Sequence, residues 1–235
     1  MKKFIKIFKC IFRLNFYKSY LNKTSPLFEL EGLIEDLNDI KTVIDIGSNK
    51  GQFSTLTRYY FPKAKIYSFE PQGRILSKQK KIFSNDSNIK FFQMGLGNEK
   101  CNKKFYVTNR EDSSSFLEPK NTYVETYKIK SFKKIKINKL ENMINSDKLE
   151  KNVLVKLDVQ GFELEVLKGA KKLLNKIDYI ITEMSYQNIY KNQVVRSDLK
   201  LFLKKNNFVK VKNINITKFD KKLFQSDALF RKKLK

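Results

Sequence analysis

The first residues able to do chemistry are two glycines in a tight turn, Val43-Ile44-Asp45-Ile46-Gly47-Ser48-Asn49-Lys50-Gly51-Gln52-Phe53-Ser54, where an apolar run gives way to a helix start. Gly47 and Gly51 let the backbone approach a ligand where a side chain would collide, and the helix start offers free backbone N–H groups. Such a turn can cradle a nucleotide-type ligand, although α/β proteins also turn this way for packing alone. Glu70 lies nineteen residues after Gly51, at the end of the next apolar run. A carboxylate there can accept hydrogen bonds from both ribose hydroxyls of an adenosine. Leaving it unpaired at a packed sheet edge would be costly, which makes a bound diol a reasonable partner.

Asn49 stands where the dinucleotide fingerprint has its middle glycine, so its side chain crowds the place of a pyrophosphate. An adenosine ligand that lacks a pyrophosphate, S-adenosylmethionine (SAM), suits the turn better.

The second informative stretch is Val155-Lys156-Leu157-Asp158-Val159-Gln160-Gly161-Phe162-Glu163. Asp158 is expected to end a strand beside the first one, and Glu183 to end the strand after that. Two carboxylates facing one cleft can act as base and orienter, or can hold a divalent cation through oxygen ligands. No metal site is predicted from them. Helix capping competes as the role of Glu163, and less so of Asp158. The chain has no His, and its two cysteines, Cys10 and Cys101, are far apart. A His base, a Cys/His zinc site and a disulfide framework are thereby excluded. Asp158 becomes the first choice of base and Glu183 the second, with Lys156 able to bias either through its charge.

These residues need a scaffold that brings strand ends together. Apolar runs at 42–46, 65–69 and 89–94 are separated by helical stretches near 52–61 and 74–83. Strands joined by helices pair in parallel through right-handed crossovers, so their carboxyl ends share one edge of the sheet, where ligands bind. The rhythm resumes with a strand at 153–157, a helix over 162–174, a strand at 177–182, a helix over 197–205, and strands at 208–212 and 227–231. Residues 104–108 and 133–137 read as strands around a loop rich in Ser and Glu, a small β insertion within about 101–140.

Residues 1–24 form a separate unit. Phe4, Ile7, Phe8, Ile11 and Phe12 recur at helical spacing, with Lys2, Lys6, Lys9 and Arg13 largely opposite. Such a basic amphipathic helix can lie in the interface of an anionic membrane or pack on its own domain, residues 25–235. With 49 Lys and Arg against 24 Asp and Glu, the formal charge of +25 raises nucleic acid or anionic membrane as partners. Lysines are scattered along the whole chain, however, as a global compositional bias would produce. Unpaired cysteines suit a reducing compartment, and no apolar run is long enough to span a bilayer. The chain is expected to be cytoplasmic, with the amino-terminal helix able to hold it at the inner face of the membrane.

Asp-Ile-Gly-Ser-Asn-Lys-Gly at 45–51, Phe-Glu-Pro at 69–71, Gly-Leu-Gly at 95–97, Ser-Ser at 113–114, Lys-Leu-Asp-Val-Gln-Gly-Phe-Glu at 156–163, and Glu183 together resemble the FkbM-family methyltransferases in order and spacing. The resemblance covers roughly residues 43–231. It implies an α/β fold with a Rossmann-like, mostly parallel seven-stranded sheet of the class I methyltransferase type, helices on both faces and a final antiparallel strand. It implies SAM as cofactor and O-methylation of a hydroxyl on a sugar, glycan or related natural product. By the same resemblance Asp45 and Gly47 flank the methionine part of SAM, with Ser48, Asn49 and Gly51 in the same turn. Glu70 meets the ribose and Gly95 with Leu96 the adenine, while Pro71 and Ser114 count among the cofactor-binding residues. One departure stands out: the family usually has Glu where this chain has Gln160, which argues against a catalytic or metal-holding role there.

Two other readings compete with the glycan acceptor. RNA methylation would use the basic surface, but no nucleic-acid module is recognisable. A non-catalytic SAM-binding protein would keep the fold alone, since fold does not fix function.

Overall fold

The computed structural model describes residues 19, 21–123 and 127–233. The helix expected over 1–24 lies almost wholly outside the described residues. After a short helix α1 (Glu31–Ile34), the chain runs through β1 (Thr42–Ile46), α2 (Gln52–Tyr60), β2 (Lys65–Phe69), α3 (Gly73–Ile82) and β3 (Ile89–Phe92). Then come β4 (Gly95–Leu96), β5 (Cys101–Thr108), β6 (Ile129–Asn138), α4 (Leu140–Met143), β7 (Val153–Leu157), α5 (Glu163–Lys168) and β8 (Tyr179–Ser185). The chain continues with α6 (Arg196–Lys205), β9 (Phe208–Ile214), the pair β10 (Lys218–Phe219) and β11 (Lys222–Leu223), and β12 (Gln225–Lys232).

Seven strands form the main sheet in the order β3-β2-β1-β7-β8-β12-β9, and β12 runs antiparallel to both its neighbours. The other contacts are parallel. Successive side chains of a strand point to opposite faces. Ile44 and Ile46 of β1 accordingly join Val166, Leu167, Leu199 and Leu203 of α5 and α6 in one cluster, while Val43 joins Leu33, Ile34, Phe53 and Leu56 of α1 and α2 in another. The strands buried on both faces are near-continuously apolar, as parallel strands between helical layers must be. The expected fold class is the one observed.

Three elements differ from expectation. The strand expected over 89–94 stops at Phe92, and Gly95-Leu96 instead pairs in parallel with Ile137-Asn138 in a second sheet, β4-β6-β5. That crossing of the chain is tight: a Cβ on Gly95 would lie 2.3 Å from Cζ of Phe116. The helix expected over 162–174 ends at Lys168, where Gly169 packs its bare Cα against the Gly97 carbonyl and the chain continues in turns. The hairpin of β10 and β11 was not expected at all. The two strands of the insertion, expected over 104–108 and 133–137, are longer, with β5 and β6 pairing antiparallel from Cys101↔Ile137 to Thr108↔Ile129.

Candidate active site

The carboxyl ends of β1, β2, β7 and β8 open into a cleft of about 300 Å³, roofed on one side by the insertion. Gly47, Ser48, Asn49, Glu70, Pro71, Gly95, Leu96 and Ser114 line it, and Lys156, Asp158 and Glu183 sit at its other end. Asp45 and Gly51 are not among the lining residues. Asp45 is fully buried on β1 and accepts a 2.7 Å hydrogen bond from Ser54 Oγ of α2. Gly51 (φ 85°) begins α2 in the left-handed region, and the space a Cβ would need is taken by Gln79 Cγ at 2.7 Å. Gln79 belongs to a buried polar network with Ser48, Ser54 and Ser68 that stiffens the turn from behind.

Gly47 (φ 73°) is required twice over. Its backbone is left-handed, and a Cβ would lie 1.9 Å from the carbonyl oxygen of Asp158. The turn and the end of β7 are further joined by the Asp158 amide donating to Ile46 O at 3.1 Å and by Lys156 Nζ donating to Gly47 O at 3.0 Å. Asn49 (φ 47°) takes the left-handed conformation that Asn tolerates, donates its amide to Glu70 Oε2 at 3.1 Å, and leaves its own Oδ1 buried without a partner. Glu70 also accepts from the Gln72 amide at 2.8 Å. Burial pushes its carboxyl up to about 7, against the pull of those two N–H groups. Each carboxylate oxygen has further accepting capacity for a ligand.

At the other end, Lys156 is buried 3.3 Å from Asp158 Oδ2 and 3.7 Å from Asp45 Oδ1. Burial would lower the Lys156 ammonium, but Asp158 and Asp45 outweigh it and leave its pKa raised. The same ion pair does not hold Asp45 down. Burial outweighs Lys156 there and raises the carboxyl. Glu183 is raised well above the usual carboxylate range by burial first and by Asp158 and Glu163 second. Its Oε2 accepts a 2.7 Å hydrogen bond from Gln225 Nε2.

Several participants were not legible in advance. Gln160, held at φ 55°, donates Nε2 to Asp158 Oδ1 at 2.8 Å and so orients that carboxylate. Ser115 Oγ grips its backbone oxygen at 2.7 Å. Buried Tyr190 places its single phenolic proton within reach of both Gln160 Oε1 (3.0 Å) and Ser113 O (2.9 Å). Glu163 is no simple helix cap. It accepts the amides of Val159 and Gly161, closing the turn that carries Asp158, and burial pushes it up to about 7. Asp227 lies directly across from Glu183 in the β8–β12 register. Among the described residues no group of three or more His, Cys, Asp or Glu side chains is arranged to hold a metal ion. No described helix is long and apolar enough to cross a membrane.

A doubly wound sheet with its ligand cleft at the carboxyl edge, closed by glycine turns and carboxylates, defines the Rossmann-like class of α/β proteins. Residues 45–210 match the family described as the methyltransferase FkbM domain, and the chain belongs to that family. Among characterised relatives, 2-O-methyltransferase NoeI of Sinorhizobium fredii is 26% identical over 162 residues, covering 65% of this chain and 66% of that protein. The hexuronic acid methyltransferase AglP of Haloferax volcanii is 23% identical over 154 residues, covering 65% and 59%. This chain thus aligns with a little under two thirds of each relative's length. Among solved structures, an uncharacterized protein from Listeria monocytogenes serotype 4b superposes with a TM-score of 0.52 at 11% identity, covering 88% of this chain and 67% of that one. That likeness supports the fold.

Proposed function

We propose that this protein transfers a methyl group from SAM to a hydroxyl of a sugar, glycan or related natural product. The observation that carries the reading is the pairing, in one cleft, of an adenosine-type cradle with Asp158 held by Lys156 and Gln160 about the strand end beside it. The residues fit SAM: Glu70 has accepting capacity for a ribose diol, and the unpartnered Asn49 Oδ1 awaits a donor. SAM supplies an electrophilic methyl group on a good leaving group. The protein then has two tasks, alignment of the acceptor hydroxyl and removal of its proton.

Asp158 is the proposed base. Its Oδ1 is fixed by Gln160 and its Oδ2 faces Lys156, so the carboxylate is oriented toward the cleft without depending on a His. Glu183, half-buried and held by Gln225, orients the acceptor hydroxyl. Pro71, Gly95, Leu96 and Ser114 shape the adenine and ribose side. The name of one relative, a 2-O-methyltransferase, supports an oxygen acceptor, and that of the other, a hexuronic acid methyltransferase, supports a sugar. Incubation of the full chain with methyl-labelled SAM and either saccharide or RNA acceptors tests the reading. Label is expected on saccharide; label on RNA alone, or tight binding of NAD in place of SAM, overturns it.

A further inference from the structure

A second cavity, of about 450 Å³, continues beyond the strand ends and shares Lys156, Asp158, Glu183 and Gln225 with the cleft. Its size falls in the usual range for small-molecule sites. If the proposed reading holds, the shared residues meet the reacting hydroxyl, and this cavity is where the rest of the acceptor lies.

The charge on its walls is the reverse of the chain's. The protein carries a formal +25, yet among the described residues the carboxyl groups of Asp158, Glu183 and Asp227 line this space with Lys156 as the one cation. Lys156 is already committed to Gly47 O and Asp158. Asp227 and Glu183 face the cavity from opposite positions on adjacent antiparallel strands, close enough for like charges to repel. Burial pushes Asp227 up to about 6, with the Asn215 amide pulling the other way, and Glu183 is raised by burial and by Asp158. Leu27, Leu30, Ile181 and Ile216 supply an apolar wall beside these groups.

We infer that this cavity is the acceptor subsite and that it takes an uncharged sugar unit while rejecting a hexuronate. Hydroxyl groups can donate to the carboxylate of Asp227 and exchange hydrogen bonds with the Glu183 carboxyl, and the C–H face of a pyranose suits the apolar wall. A carboxylate on the acceptor would instead meet the like charge of Asp227 beside an apolar wall, where Coulomb repulsion is less screened than in bulk water. By this inference the hexuronic acid methyltransferase shares the chemistry of this chain and not its acceptor.

The test uses the full chain with SAM and matched oligosaccharides that differ only in oxidation of the terminal sugar, hexose against hexuronate. The neutral member should be methylated with kcat/KM about 10²-fold higher, the size of one poorly screened like-charge contact. Asp227→Asn keeps the shape and removes that charge, so it should abolish most of that ratio. Equal or faster methylation of the hexuronate overturns the inference, as does an unchanged ratio in Asp227→Asn. Transfer to no saccharide at all, with SAM still bound, sinks the underlying glycan reading instead.

Discussion

Glu70 makes the cofactor assignment testable through pH alone. It is 4% exposed, and burial holds its carboxyl at about 7 even though two backbone N–H groups favour the ionised form. Ribose hydroxyls that donate to it bind the ionised form, so SAM must displace a proton whenever Glu70 is protonated. The sign follows: affinity rises as pH increases through about 7. If a bound diol returns the group to its ordinary range, only about a tenth of free protein is ionised at pH 6 and about nine tenths at pH 8. SAM should therefore bind about tenfold more weakly at pH 6, or about 1.4 kcal/mol. Glu163 titrates in the same range, so the wild-type slope alone is ambiguous. Glu70→Gln separates them. That variant should lose about 1.5–3 kcal/mol of binding at pH 8, the cost of removing a charged acceptor, and should lose most of the slope. Isothermal titration of SAM into both proteins at the two pH values reads the result. An equal slope in Glu70→Gln, or tighter wild-type binding on acidification, would refute the role of Glu70.

Asp158→Asn should leave SAM affinity near wild type and lower turnover by about 10²–10⁴, the usual contribution of a positioned base, with single-turnover methyl transfer as the measurement. Full activity in that variant moves the role to Glu183, and chelator-sensitive wild-type activity would favour a divalent cation over a simple base. Gly169→Ala forces a Cβ within 1.9 Å of the Gly97 carbonyl, and thermal melting should fall by about 6–12 °C for a loss of about 3 kcal/mol. For the amino-terminal segment, full-length protein should sediment with anionic liposomes in a salt-sensitive manner, and a variant lacking residues 1–18 should not. Equal sedimentation of the two would place the helix on its own domain.

The sheet was legible because its parallel strands are short apolar runs, such as 42–46 and 153–157, whose buried faces leave little choice of residue. The ends of β2 and β7 were legible for the same reason, which located Glu70 and Asp158 just past them, whereas the strand expected over 177–182 runs on through Glu183 to Ser185. What could not be read depends on contacts distant in sequence. Asp227 looks like any polar residue in a final strand until the antiparallel register sets it across from Glu183. Tyr190 is one of eleven tyrosines, and nothing local marks it as the residue whose hydroxyl reaches Gln160. Gly51 carries the opposite lesson: its spacing suggests ligand approach, while its neighbour in space is Gln79. A catalytic or metal-holding role for Gln160 was discounted because it departs from the family's usual Glu, yet an amide can orient a base, which is what its hydrogen bond to Asp158 does.

The contact between Gly47 and the Asp158 carbonyl bears on how such a protein can change its substrate. The donor turn and the strand end beyond it share a missing side chain, a backbone hydrogen bond and the Lys156 ammonium, so neither can shift without the other. Mutational drift toward a new acceptor is therefore barred from that side. The wall formed by Leu27 to Leu30 and Asn215 to Thr217 is built from a single-turn helix and a loop, is tied across by Asn215 Nδ2 donating to Glu29 O at 2.9 Å, and meets the donor turn at Leu27, whose amide donates to Gln52 O at 3.1 Å. Directed evolution confined to those two segments should be able to exchange acceptors while the alignment of donor and base is inherited intact.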